Sequence, residues 1–219
     1  MKNENLFIVL TADTSDTSIS VSVRDEQRLI IMEAICRFLD IIRAPSVLEK
    51  VWHLLTSVSI LSPSELAAAA TVLGVNAIRY NKVRVAEGRI LSVIFKFNRN
   101  RAFTLFHTIN FPKKSWCSRA ELDMIVHEMV HVFQFEKIGC LYIPQALRAQ
   151  MREGYDYGGW QQLENDWAVG KHFHDYNREQ QGKIAQDYYN LVISTTLPDD
   201  DRVSLAYQPF IDELRNGAL

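Results

Sequence analysis

Two histidines and a glutamate in this 219-residue chain carry a spacing suited to metal-assisted chemistry: His127-Glu128-Met129-Val130-His131. On a helix, residues four apart share a face, so the imidazoles of His127 and His131 can grip one ion. Glu128 is offset by about 100°. Its carboxylate would therefore stand beside the metal, free to take a proton from a water that the metal polarises. The surrounding helix is nearly all apolar (Leu122, Ile125, Val126, Met129, Val130, Val132, Phe133, Phe135), yet Asp123, His127, Glu128, His131 and Gln134 form one polar stripe along it. Polar groups in an apolar environment cost about 1–3 kcal/mol each when unpaired. A metal ion with hydrogen-bonded support would satisfy them together, and Asp123 and Gln134 are the candidates to support the imidazoles.

HExxH is the spacing of zinc peptidases, and a shuffled chain of this composition contains it about once in a hundred tries. A catalytic zinc usually has three protein ligands and an open position for water. The extended form HExxHxxGxxH is absent, because position 134 is Gln and position 137 is Lys. The third ligand must come from downstream, where Glu164, Asp166, His172, His174, Asp175 and Glu179 are available. Periodicity does not choose among them. On a regular helix from about Tyr176 to Ile193, Glu179 lies roughly 140° from the apolar stripe of Ile184, Tyr188, Leu191 and Val192, which by itself reads as a solvated helix-start glutamate. A developing oxyanion also needs a donor besides the metal. Tyr155, Tyr157, Tyr176, His172 and His174 could supply it, with Tyr155 and Tyr157 foremost. His53 and His107 read as structural.

The elements that must hold these residues are partly written in the sequence. Ser118 with Glu121 forms a capping box and Gly139 supplies a left-handed stop, predicting the HExxH helix over about 119–138. Upstream, Leu29, Met32, Ile35, Cys36, Leu39 and Ile42 recur at helical spacing within Asp25–Arg43. Pro45 opens a second helix through Leu48, Trp52 and Leu55. Ser62 and Glu65 make a capping box for a third, with Pro63 at its first position and Gly74 after its last turn. The runs Ile78–Ala86, Arg89–Phe97 and Ala102–Ile109 are short and β-branched or aromatic, which predicts an antiparallel meander. After Pro112 the pattern is helical, broken at Gly154–Gly159. Residues 1–24 read as an arm or hairpin, and 25–219 as one α+β domain with no linker or repeat.

Composition excludes several classes. Lys+Arg 24 against Asp+Glu 26, a net charge of -2, gives no pull toward nucleic acid or anionic lipid. Cys36, Cys117 and Cys140 are too few and too scattered for a disulfide framework or thiolate zinc site. The apolar stretch Leu6–Leu10 is far short of a membrane span or secretory core, so synthesis without a signal peptide is the expectation.

Three segments together carry a resemblance. Val126-His-Glu-Met-Val-His-Val-Phe-Gln-Phe-Glu-Lys-Ile-Gly139, Gly154-Tyr-Asp-Tyr-Gly158 and Tyr176-Asn-Arg-Glu-Gln-Gln181 resemble zincin metallopeptidase domains associated with VgrG spikes and bacterial contractile injection (type VI) clusters. The likeness covers about residues 65–193. It implies a zincin-like fold with a small antiparallel sheet, whose edge strand an extended peptide would lie against, and C-terminal helices closing the cleft. In the Glu-zincin branch the third ligand stands in a Glu-x-x-small pattern; Glu179-Gln-Gln-Gly182 is similar to it, with Gly where Ala is more usual, and this implies Zn2+ on His127, His131 and Glu179. The resemblance further implies a toxin or effector delivered into a target cell, with a peptide or protein substrate, a VgrG-type spike partner and an immunity protein. The competing reading is a zinc-stabilised accessory module that docks to a spike or cargo protein and cleaves nothing. Glu128 favours the enzyme, since a structural site has no use for a base beside the metal.

Overall fold

A computed structural model describes residues 23–88, 90–97, 100–113, 118–195 and 201–219. Cys117 and almost all of the expected N-terminal arm lie outside the described residues. The elements run α1 (Val23–Ile41), α2 (Pro45–Leu55), β1 (Ser57–Ser59), α3 (Pro63–Leu73), β2 (Arg84–Glu87), α4 (Leu91–Phe97), β3 (Phe103–Leu105), β4 (Thr108–Phe111), α5 (Leu122–Ile138), α6 (Tyr142–Arg152), α7 (Gly159–Ala168), α8 (Arg178–Tyr188) and α9 (Asp201–Arg215). The class is α+β, with helices predominant over a small sheet. No helix among the described residues is long and apolar enough to cross a membrane.

The HExxH segment is the core of the molecule. In α5 the ten residues from Ile125 to Gln134 are all buried, so the helix is enclosed on every side rather than along one stripe. It packs against α3 on one flank, α8 on another, and β3 and β4 beneath. Val72, Leu73, Val85, Ile109, Ile184, Tyr207 and Phe210 share its hydrophobic cluster. Gly139 ends it at φ 66, a left-handed position that glycine fills without strain.

The sheet departs from the expected antiparallel meander. Its order is β1-β2-β4-β3. The two outer pairs are antiparallel, but β2 and β4 run parallel, with Val85 opposite Ile109. The cause is the middle run: Leu91–Phe97 is a helix, α4, and it makes the crossover between parallel strands. Leu91 and Phe95, one turn apart, are buried with Ala86 and pack on Trp52, Ile94 and Phe103. A short segment with apolar Leu91, Val93, Ile94, Phe95 and Phe97 fits either period, and as a helix it puts Leu91 and Phe95 on one buried face. The two-residue turn Phe106-His107 joins β3 to β4 with Phe106 at φ 58. The strand Ser57–Ser59, not foreseen, completes one edge.

Two other expectations shift. The capping box at Ser118 and Glu121 does not form; α5 begins at Leu122, and Glu121 makes no side-chain cap. Arg119 is instead drawn to Glu65, which its guanidinium meets at 2.5 and 2.8 Å. The box at Ser62 and Glu65 does form, with Pro63 at the first turn. On α1, Leu29 and Cys36 are buried, but Ile35 and Ile42 are 52% and 54% exposed; with Ile31 and Phe38 they form a second apolar stripe facing outward. Cys36 and Cys140 are both buried free thiols.

Burial alone would raise the Glu65 carboxyl, but hydrogen bonds from Arg119 and Ser62 outweigh it and hold it below the usual range. Arg119→Ala strands a buried carboxylate and should lower stability by about 2–3 kcal/mol at pH 7. A group whose folded pKa is depressed contributes stability above its unfolded value, near pH 4.3, and loses it as pH falls through the folded value. The gap between wild type and variant in urea denaturation should therefore hold from pH 7 to about 5 and narrow at lower pH, where only the Arg119 bonds to Ser59 and the Ile60 carbonyl remain; a gap that does not narrow when Glu65 is protonated would contradict the pairing.

Candidate metal centre

Three side chains from two helices converge beneath a cavity of about 500 Å3. His127 and His131, on successive turns of α5, have ring centroids 5.1 Å apart. Glu179, in the first turn of α8, points its Oε2 at both: 3.4 Å from His127 Nε2 and 3.5 Å from His131 Nε2. One ligand atom from each residue can be chosen so that all lie within 4.8 Å of one another. These contacts are long for N–H···O hydrogen bonds. They match the separation of about 3.3–3.4 Å between donors held 2.0–2.1 Å from a tetrahedral ion. Two imidazoles and one carboxylate, all buried, could thus hold a divalent cation.

Glu179 reaches this place because α8 is buried on more than its apolar stripe. Wedged against α5, α6 and α9, it hides Glu179, Gln181 and Gly182 as well as Ile184, Ala185 and Tyr188. A helix with only one buried face would have turned Glu179 toward solvent. Asn177 caps α8 and accepts from the backbone N–H of Glu179 at 3.0 Å. The other carboxylate oxygen of Glu179 accepts from Gln150 of α6 at 2.8 Å. Both carboxylate oxygens of Glu179 are thereby engaged.

Gln134 supports His131. The Nδ1–H of His131 donates to Gln134 Oε1 at 2.8 Å, which leaves Nε2 facing Glu179. The Gln134 amide then donates to the Arg178 carbonyl and to Gln181 Oε1, each at 3.0 Å, linking the imidazole to α8. Asp123 does not play the corresponding part for His127; its carboxylate accepts from Gln186 and Asn190. Glu128 lines the same cavity, and its Oε2 accepts from the Thr104 hydroxyl of β3 at 2.7 Å.

Of the two tyrosines put forward, Tyr155 lies at the cavity, its ring 5.8 Å from that of His127. Tyr157 does not. Its hydroxyl donates to Asp187 at 2.9 Å and meets the Tyr207 hydroxyl at 2.5 Å, inside the core. The backbone turns at Gly154 and Gly158, both at positive φ, and sends the two rings to different places. The remaining third-ligand candidates are engaged elsewhere: Glu164 with Arg202, Asp166 with Lys171 and Tyr176, His172 with Glu213, and His174 with Asp175. His53 meets Thr108, and His107 lies between Glu49 and Glu136, joining α2, β4 and the end of α5. Thr104, Gln150 and Tyr142, whose ring stacks near His131, carried no signal in the sequence, since each comes from an element whose placement depends on the whole fold.

Burial shapes the electrostatics. It raises the Glu128 carboxyl, a shift that His131, His127 and Thr104 offset only in part. Burial would lower His131, but Glu179 and Glu128 outweigh it and lift the imidazole to about 9. Glu179 is pulled far below the usual carboxylate range by His131 and His127 against its own burial. Without a cation, the two carboxylates favour a proton on His131. No protein-family model, curated protein or solved structure matches the chain.

A cation binding here must displace that proton. Zn2+ binding followed by calorimetry in buffers of different ionisation enthalpy should release about one proton at pH 7, and affinity should rise with pH until about 9. Gln134→Leu removes the acceptor that orients His131 and should weaken Zn2+ by about 10–100-fold in chelator competition. Unchanged affinity in that variant would show that Gln134 does not orient the ligand.

Proposed function

We propose that the chain is a zinc-dependent peptidase that hydrolyses peptide bonds with Glu128 as general base. The observation that carries this reading is the carboxylate of Glu128, which shares the cavity with the His127, His131 and Glu179 donors and is held by Thr104. A site that only braced the fold would be closed by four protein ligands and would have no use for such a group. The donor set, two imidazoles and one carboxylate, is one that catalytic zinc uses. The resemblance to zincin domains supports the same ion and the same roles.

When bound, zinc would supply Lewis acidity, polarising a water and the scissile carbonyl. The rest of the chemistry belongs to side chains. Glu128 takes a proton from the attacking water and returns it to the leaving amine. Its burial raises its basicity toward what proton transfer near neutrality requires. The Thr104 hydroxyl occupies Oε2 and leaves Oε1 for the water. Tyr155 stays protonated at neutral pH, because burial and Glu179 raise its phenol. Its O–H, at the cavity beside His127, is a candidate donor to charge developing on the carbonyl oxygen.

Substrate would enter between β3 and α6, whose residues Phe103, Leu105, Ile143 and Leu147 give the cavity apolar walls. β3 is the sheet's edge next to α5. The Thr104 carbonyl, facing away from β4, already accepts from Tyr142 at 2.8 Å, so pairing of a peptide along this edge is curtailed at that residue. Delivery by a contractile injection system, docking to a VgrG-type spike and neutralisation by an immunity protein belong to the same proposal and rest on the sequence resemblance.

Replacing Glu128 by Gln should leave about one zinc per chain while hydrolysis of an unfolded protein substrate falls by about 10²–10⁴-fold. Glu179→Ala should lose the metal itself. An E128Q protein as active, or as toxic to an expressing cell, as wild type would remove the catalytic role.

A further inference from the structure

We propose that the outward face of α1 pairs two copies of this chain, helix against helix and antiparallel, about a twofold axis. Nothing in this pairing depends on the metal centre.

A helix at the surface of a folded chain normally turns its apolar residues inward and its charges to water. On α1 the outer side is reversed. Carboxylates accompany Leu29 and Cys36 against the protein: Glu33 meets Arg148 of α6 at 3.4 Å, and Asp40 accepts from the backbone N–H of Cys140 at 2.9 Å. Ile30, Ile31, Ile35, Phe38, Ile41 and Ile42 point the other way and are between 52% and 78% exposed. The arc they span, about 140° at 100° per residue, holds no charge between Ile30 and Ile42, its one other residue being Ala34. These six side chains leave roughly 600–700 Å2 of apolar surface in water, more than the largest patch of a typical monomer, and a standard interface takes about 800 Å2 from each partner. α2 follows after a turn of three residues and exposes Val47, Val51 and Leu54, enough to reach that size.

Spacing identifies the occupant. Ile31, Ile35, Phe38 and Ile42 stand four, three and four residues apart, the period of a coiled-coil seam. Such a stripe fits a helix with the same seam, and a second copy brings one. Choosing a different protein would call for charge on the stripe, which it lacks. A lipid surface fits worse, since Val23–Ile41 carries three arginines against four acidic residues, without the basic excess that holds a surface helix on anionic lipid. Direction follows from Arg28, which stands one heptad before Ile35. In a parallel pair it would face its own copy across the seam. A twofold antiparallel pair, centred between residues 36 and 37, sets Ile35 against Phe38 and Ile31 against Ile42, and leaves Arg28 beyond the apolar contact.

Sedimentation equilibrium of the full chain at tens of micromolar should give twice the mass of one chain. Ile35→Lys and Phe38→Glu, both at exposed positions, should each fold as wild type by circular dichroism and each weaken self-association by about 30-fold or more. Mixed in equal amounts, the two variants should recover the dimer. One contact then joins the two introduced charges, of opposite sign, and the other keeps Ile35 against Phe38. A mixture that does not recover overturns the antiparallel pairing. Charged variants that remain dimeric place the contact elsewhere and overturn it too, and a variant that no longer folds shows the stripe to be covered within its own chain, with the same consequence. A wild-type chain that stays single overturns the proposal, whether or not it sediments with vesicles of phosphatidylcholine and phosphatidylglycerol, which would mark the face as a lipid contact. None of these outcomes bears on zinc uptake or hydrolysis.

Discussion

Charge buried along one enclosed helix is the constraint on which the rest depends. His127, Glu128 and His131 are interior residues of α5, and Glu179 meets them from α8, each no more than 5% exposed. Ionised groups removed from water are costly unless paired with good geometry. Two carboxylates facing two imidazoles can be neutralised by protons on the rings, or by a divalent ion that leaves the rings neutral. In the second state the charges sum to zero and both Nε2 lone pairs are used. Glu179 and Glu128 raise the His131 imidazole, so the same carboxylates that favour a proton on that ring would favour a cation in its place.

The polar support answers to the same constraint. Gln134 takes the outer nitrogen of His131 and passes the connection to the α8 backbone; Gln150 takes the second oxygen of Glu179; Thr104 takes one oxygen of Glu128. Each is a neutral donor or acceptor, adding hydrogen bonds without adding charge to an interior that could not tolerate more. β3 holds the base through Thr104, whose hydroxyl meets Glu128 and whose carbonyl is held by Tyr142. The parallel β2–β4 pair and the crossover helix α4 fix where that short strand lies under α5.

Legibility in the sequence followed locality. The Ser62–Glu65 box, the stop at Gly139 and the shared face of His127 and His131 are properties of five or fewer residues, and the α+β class follows from elements of that scale. The start of α5 was misread because Arg119 answers to Glu65, 54 residues away, rather than to the cap beside it. Leu91–Phe97 reads as a strand because its apolar residues satisfy both periods until Ala86 and Phe103 are present to pack on it. Glu179 could be named only through the Glu-x-x-small likeness, since its burial comes from helices on several sides of α8. For Thr104 and Gln150 nothing local marks a partner on α5 or α8.

The anchoring of the two imidazoles has a structural corollary. His131 is tied through Gln134 to the Arg178 carbonyl and Gln181, and the His127 ring lies against Gly182, so both are referenced to α8, the helix that supplies Glu179. All three donors are thus set by a single packing interface, α5 against α8. The cavity walls are built largely from other elements, β3, α4 through Ile94, and α6 through Ile143, Ala146 and Leu147, with Met124 of α5 and Lys183 and Gln186 of α8 lining it as well. Gln150 reaches from a wall to a donor, Glu179. Side chains on β3, α4 and α6 that touch no donor can therefore change what fits the cavity with little disturbance to the metal geometry. In the proposed peptidase, the chemistry and the choice of substrate are carried by largely separate parts of the same fold.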